Sequence, residues 1–144
     1  MQRVRPVVPG GESPGSVKEA KLFELKVVSQ FAAAHQLTGL AGPCERLHGH
    51  NWKVEVFVRG EKVAKDGLLI DFKMIKQATE KVLQELDHRF LNELQPFKEE
   101  SPSSENIAKY IFQSLVRDLN NERVRVDRVT AWESDSACAT YMTD

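Results

Sequence analysis

Three of the four histidines and one of the two cysteines in this 144-residue chain fall within sixteen positions: His35, Cys44, His48 and His50. Imidazole nitrogen suits zinc, and a set of three histidines leaves the fourth tetrahedral position open to water or substrate. A thiol beside such a site can be held as thiolate, which is both a base and a nucleophile. The pattern points to a catalytic metal site that binds Zn2+ through His35, His48 and His50. Cys44 admits three roles: an inert loop residue, a fourth ligand, or a catalytic thiol. A fourth ligand would saturate the metal and remove its Lewis acidity, so Cys44 is read as the catalytic thiol.

For these side chains to meet, position 35 must come close to positions 48–50. The odd residues Phe23, Leu25, Val27, Phe31 and Ala33 alternate with Glu24, Lys26 and Gln30. That alternation predicts a half-buried strand over 21–35, with His35 on the apolar parity. Residues 36–47, with Gly39, Gly42 and Pro43, read as a loop. A second strand starts at His48 and carries His48, His50, Trp52, Val54, Val56 and Val58 on one face. Histidines two apart on a strand share a face, and antiparallel pairing sets His35 beside them.

The remaining elements follow from caps and stripes. Asp66-Gly67 marks a turn, and Asp71 is a plausible N-cap for a helix with the stripe Ile75, Ala78, Val82 and Leu86. That helix ends near Asp87-His88. A second helix, capped by Ser101 or Ser103, has Glu105 in its first turn and buries Ile107, Ala108, Ile111, Phe112, Leu115 and Leu119. Strands over 123–133 and 137–142 close the chain. Val124 and Val126 are out of phase with Val129 and Ala131, which predicts a bulge near Asp127. The expected order is β-β-α-α-β-β. This is an α+β fold, a four-stranded antiparallel sheet with two helices on one face. Its exposed edges need cover, which favours an oligomer.

Other residues carry weaker signals. His88 is either a histidine set against the helix C-terminal dipole or an imidazole oriented by Asp87 for general acid–base work. Glu133 and Glu105 are surface acids by default; either, if buried, would suit an amidine-like group through paired hydrogen bonds. Trp52 and Trp132 read as core residues.

Composition narrows the classes. A net charge of −1, from 20 basic and 21 acidic residues, lacks the basic footprint of a nucleic-acid binder. No apolar stretch is long enough for a bilayer, so no membrane partner is expected. Two distant cysteines make no disulfide framework, which favours a reducing cytoplasm. Residues 1–20, punctuated by Pro6, Pro9, Gly10, Gly11, Pro14 and Gly15, read as a Pro/Gly-rich tail, neither secretory signal nor transit peptide. Residues 21–144 read as one catalytic domain.

Five motifs in order resemble the 6-pyruvoyl-tetrahydropterin synthase family, and within it the 6-carboxy-tetrahydropterin synthases of the queuosine pathway. They are Cys44-Glu45-Arg46-Leu47-His48-Gly49-His50, Gly67-Leu68-Leu69-Ile70-Asp71-Phe72, Leu86-Asp87-His88 with Leu91-Asn92, Pro102-Ser103-Ser104-Glu105-Asn106, and Trp132-Glu133. The resemblance implies a tunnelling fold (T-fold), assembled as a hexamer from two trimers with active sites at subunit interfaces. It implies zinc on His35, His48 and His50, catalysis by Cys44, Asp87 and His88, and a pterin held by Glu133, with Ser103 assisting.

The implied reaction converts 7,8-dihydroneopterin triphosphate to 6-carboxy-5,6,7,8-tetrahydropterin, releasing acetaldehyde and triphosphate. The sister reaction retains the side chain as 6-pyruvoyl-tetrahydropterin. Two other classes stand against these: a zinc-stabilised assembly protein with Cys44 and three histidines saturating the metal, and a cysteine hydrolase using Cys44 and His88. The second leaves the histidine cluster unexplained.

Overall fold

Alternating apolar and polar residues build two long strands, β1 (Phe23–His35) and β2 (His48–Gly60), each of 13 residues. They pair antiparallel in full register, from Phe23 opposite Gly60 to His35 opposite His48. The computed structural model describes Glu19, residues 21–37 and residues 46–144. The expected tail over 1–20, apart from Glu19, and the loop segment carrying Cys44 therefore lie outside the described residues.

The helices form where their caps and stripes place them. Helix α1 (Phe72–Leu86) starts at Asp71, whose carboxylate accepts the Lys73 N–H at 2.8 Å. It buries Ile75, Thr79, Val82, Leu83 and Leu86. Helix α2 (Ser104–Leu119) starts at Ser103 and buries Ile107, Ala108, Ile111, Phe112, Leu115 and Leu119, the stripe its spacing predicts. Gly67, at φ +84°, makes the turn that follows β2, in a conformation L side chains rarely adopt.

Strands β4 (Arg125–Ser134) and β5 (Ala137–Met142) complete an antiparallel run beside β2. The β2–β4 register slips between Phe57 and Val58, where β4 steps from Arg128 to Val126 and leaves Asp127 unpaired. This is the bulge the valine phase predicts, and it lets Val126 and Val129 both face the core.

The sheet differs from the expected one in one respect. It is mixed and five-stranded, ordered β3-β1-β2-β4-β5, because a two-residue strand β3 (Arg89–Phe90) joins β1 in parallel. Two residues carry no periodicity, so nothing in the sequence marks β3. Two short 3-10 turns, Leu91–Glu93 and Gln95–Phe97, then lead towards α2.

Helix α1 packs on β1, and α2 packs on β4 and β5, so one sheet face is covered. Val27, Phe31, Trp52, Val54, Val56, Val58, Val129 and Ala131 fill the space between the layers. Trp132 is not among them. It is half-buried, its indole N–H donates to Glu55, and Lys53 lies 4.7 Å above its ring. No helix among the described residues is long and apolar enough to cross a membrane.

Candidate functional site

The register of β1 against β2 creates the site. His35 and His48 are direct cross-strand partners, and His50 lies opposite Ala33 one step along the same face. The three rings cluster edge-on, with centroids 4.4–5.2 Å apart. Trp52, fully buried on the same face, forms the floor at 5.1 Å from His35 and 5.4 Å from His50. Its partner below is Phe31, stacked at 6.0 Å.

Backbone carbonyls orient two of the imidazoles. His35 Nδ1 donates to the Pro102 carbonyl at 2.7 Å, and His48 Nδ1 donates to the Arg46 carbonyl at 2.6 Å. A carbonyl only accepts, so each Nδ1 must carry the proton and each Nε2 is left with a lone pair in the neutral ring. Those two Nε2 atoms face each other at 3.0 Å. Two lone pairs at that distance repel unless a proton or a metal ion is shared between them. His50 Nε2 is buried in the same place. Burial is the main cause holding His50 below the usual imidazole pKa; nearby His48 and His35 add to it, against the opposing pull of Glu133. A neutral imidazole is the form that ligates.

Glu133, near the end of β4, completes the group. Its Oε1 lies 2.9 Å from His50 Nε2, 3.3 Å from His35 Nε2 and 3.6 Å from His48 Nε2. All four candidate ligand atoms fall within 4.8 Å of one another. Three imidazole nitrogens and one carboxylate oxygen form a donor set that suits zinc. Carbonyl-held ring N–H groups are the usual outer support of such histidines. The three-histidine expectation left the fourth position open, and the Glu133 carboxylate lies beside the three nitrogens on that side.

Asp87 and His88 form a pair at the end of α1. His88 Nδ1 lies 2.9 Å from Asp87 Oδ2, and Asp87 Oδ1 accepts the Ala32 N–H at 2.9 Å. That backbone bond first, and then the His88 ring, hold the Asp87 carboxyl below the usual carboxylate range. His88 sits at φ +56°, a conformation costly for a residue with a Cβ, and its side chain is 82% exposed. Its N–H donates to the Ala32 carbonyl at 2.6 Å. Sequence alone could not bring this pair to the cluster. In the structure His88 and His50 share the wall of one open cavity of about 510 Å³ with Ala32, Gly49, Asn51 and Arg89, a cavity that His35, His48 and Glu133 do not line.

Cys44 lies outside the described residues. Ser103 is the N-cap of α2, its Oγ accepting the Asn106 N–H at 3.2 Å. Sequence reasoning missed the Pro102 and Arg46 carbonyls, since any residue type supplies a carbonyl and no side-chain pattern reveals which one is used.

Comparison with known proteins agrees with this geometry. Residues 24–144 match the family model described as 6-pyruvoyl tetrahydropterin synthase. A protein of Archaeoglobus fulgidus, provisionally named a 6-carboxy-5,6,7,8-tetrahydropterin synthase, is 42% identical over 69% of this chain and 83% of its own. The dihydroneopterin monophosphate aldolase of Pyrococcus furiosus is 36% identical over 74% and 86%. Among solved structures, the 6-pyruvoyl tetrahydropterin synthase of Caenorhabditis elegans superposes with a TM-score of 0.77 and 29% identity, covering 89% of this chain and 100% of that one. The fold is thus that of these synthases, and this chain belongs to the 6-pyruvoyl tetrahydropterin synthase family of enzymes.

Proposed function

We propose that the protein is a zinc-dependent 6-carboxy-tetrahydropterin synthase. It would convert 7,8-dihydroneopterin triphosphate to 6-carboxy-5,6,7,8-tetrahydropterin, with loss of acetaldehyde and triphosphate. The observation that carries this reading is the convergence of three imidazole nitrogens and the Glu133 carboxylate, with His35 Nε2 and His48 Nε2 facing each other at 3.0 Å. The choice among related reactions rests on the resemblance of the Cys44–His50 run and on the name of the Archaeoglobus relative.

Bound by His35, His48 and His50, zinc would supply Lewis acidity towards oxygens of the substrate side chain. The chain's own residues do the rest. Asp87 fixes the His88 ring with its Nδ1–H inward, leaving Nε2 to give or take a proton at one end of the side chain. Cys44, between β1 and β2 in the sequence, would move the proton at the other end. The redox change is internal to the substrate, and the chain carries no Gly-rich dinucleotide fingerprint.

Glu133 is the pterin anchor the resemblance implies: part-buried and 2.9 Å from His50, its carboxylate lies at the edge of the metal cluster, where it would make paired hydrogen bonds to the 2-amino/N3 edge. Glu105, exposed in the first turn of α2, is the ordinary first-turn acid of a helix. Ser103 accepts a hydrogen bond at the helix cap and still has its hydroxyl proton to donate to a pterin.

The proposed assembly is a hexamer of two trimers in the cytoplasm. Open sheet edges support it: β5 ends the sheet, and β3 covers only Ala33 and Ala34 of β1. Val28 on β1 and Met142 on β5 are 50% and 58% exposed.

Incubation with 7,8-dihydroneopterin triphosphate tests the reading, with product mass and acetaldehyde both measured. Carboxy-pterin with acetaldehyde is the expected result. Pyruvoyl-pterin without acetaldehyde would move the protein to the sister reaction, and no release of triphosphate would reject both. The assembly-protein alternative is tested by chelation: an enzyme of this design keeps its helical circular dichroism without metal, whereas a zinc-stapled protein loses it.

A further inference from the structure

We infer that Asn92 is a positioning residue for the metal cluster, acting through the backbone on His35. Strand β3 pairs with β1 at only two points, Ala33 with Arg89 and Ala34 with Phe90. The ladder nevertheless continues past both ends of β3. Before it, Asp87 accepts the Ala32 N–H and the His88 N–H donates to the Ala32 carbonyl. After it, the Asn92 side chain takes over: its Oδ1 accepts the Gln36 N–H at 2.9 Å, and its Nδ2 donates to the Gln36 carbonyl at 2.7 Å. A carboxamide carries the same acceptor and donor as a peptide group, so Asn92 acts as a third rung where the strand has run out.

The placement of that rung is what matters. His35 lies between Ala34 and Gln36, and Gln36 is the first residue after β1. Leu91, fully buried, anchors Asn92 from the other side. The segment 87–92 therefore splints the end of β1 at Ala32, Ala33, Ala34 and Gln36. It ties His35 and His88 into one rigid unit. Removing the last rung frees His35 at its C-terminal side and loosens the facing of its Nε2 towards His48.

This inference rests on the metal reading, and zinc affinity measured by competition with a chromophoric chelator separates the two. Asn92→Ala should bind zinc about tenfold more weakly, the low end of what outer-shell substitutions cost, and exchange of the Gln36 amide should quicken. Asn121→Ala is the control: Asn121 accepts the Arg123 and Val124 N–H groups far from the cluster. It should lower Tm with zinc affinity unchanged. If Asn92→Ala does not fold, Asn92→Ser, too short to span both Gln36 groups, should show the same weakening. Wild-type affinity in a folded Asn92 variant would overturn the inference. Absence of zinc binding by the unmutated protein would overturn both readings, and the unmutated protein alone reveals it.

Discussion

The two ends of the β1–β2 pair, about 40 Å apart at strand rise, use similar residue types and resolve them in opposite ways. At the Phe23–Gly60 end, Glu24 accepts from Arg59 at 3.0 Å and from Arg128 at 2.6 Å, and Arg128 reaches Asp127 at 2.8 Å. Arg128 also lies 3.7 Å above the Phe57 ring. Each of these four charges has an opposite partner within the chain. At the His35–His48 end, three imidazoles and one carboxylate converge on one another, and two Nε2 atoms face each other at 3.0 Å. Charges paired one to one serve the fold. Donor atoms gathered on one point mark the candidate metal site.

Breaking the cluster should give the largest effect. His48→Ala removes one of three nitrogen ligands and should weaken zinc by more than the ~100-fold that outer-shell changes reach, with turnover falling in parallel. The metal-free variant should keep its stability within about 0.5 kcal/mol, since His48 sits partly exposed and its loss removes a lone-pair conflict. A large loss of metal-free stability would show that the cluster is structural and erase the contrast between the ends.

The two glutamates sharpen the comparison next. Glu133→Gln should raise KM for the pterin, while Glu105→Gln, at an exposed first-turn acid, should leave both KM and zinc affinity alone. A raised KM in the Glu105 variant alone would move the anchor to the helix. Steady-state kinetics beside chelator competition separates them.

His88 offers a smaller, stability-based test. At φ +56° a Cβ is strained by about 1 kcal/mol, so His88→Gly should be more stable than His88→Ala by about that amount in urea unfolding, with neither active. Equal stabilities would show that the site stores no backbone strain.

The far end should yield the smallest effect, and in acid. Arg128 first, with Arg59, holds Glu24 below its ordinary value of 4.5. The unfolded chain then takes up the proton first as pH falls, so the Glu24 contribution is whole above that value and is lost as pH drops through the lower folded one. Arg128→Leu should flatten the stability–pH curve in that window. An unchanged curve would show that the ion pairs are screened away.

Much of this was legible from residue order. Strand parity put His35, His48 and His50 on one apolar face, the α2 stripe matched residue for residue, and the valine phase shift located the bulge at Asp127. Each of these is a periodicity, and periodicity is a local property. Strand β3 was not legible, because two residues have no period. Nor was the half-buried place of Trp132, because its partner Glu55 comes from another strand.

The sequence by itself determined the histidine cluster and the family, because residue type and short-range spacing carry both. Only the tertiary structure decided what surrounds that cluster. It put the Pro102 carbonyl on His35, Glu133 among the imidazoles, the Asn92 amide on Gln36, and His88 on the wall of the cavity that His50 lines. The partners in these contacts lie far apart along the chain: 67 positions separate His35 from Pro102, and 56 separate Gln36 from Asn92. The strand pairing and helix packing that close such distances depend on the whole core, and no window of sequence contains them.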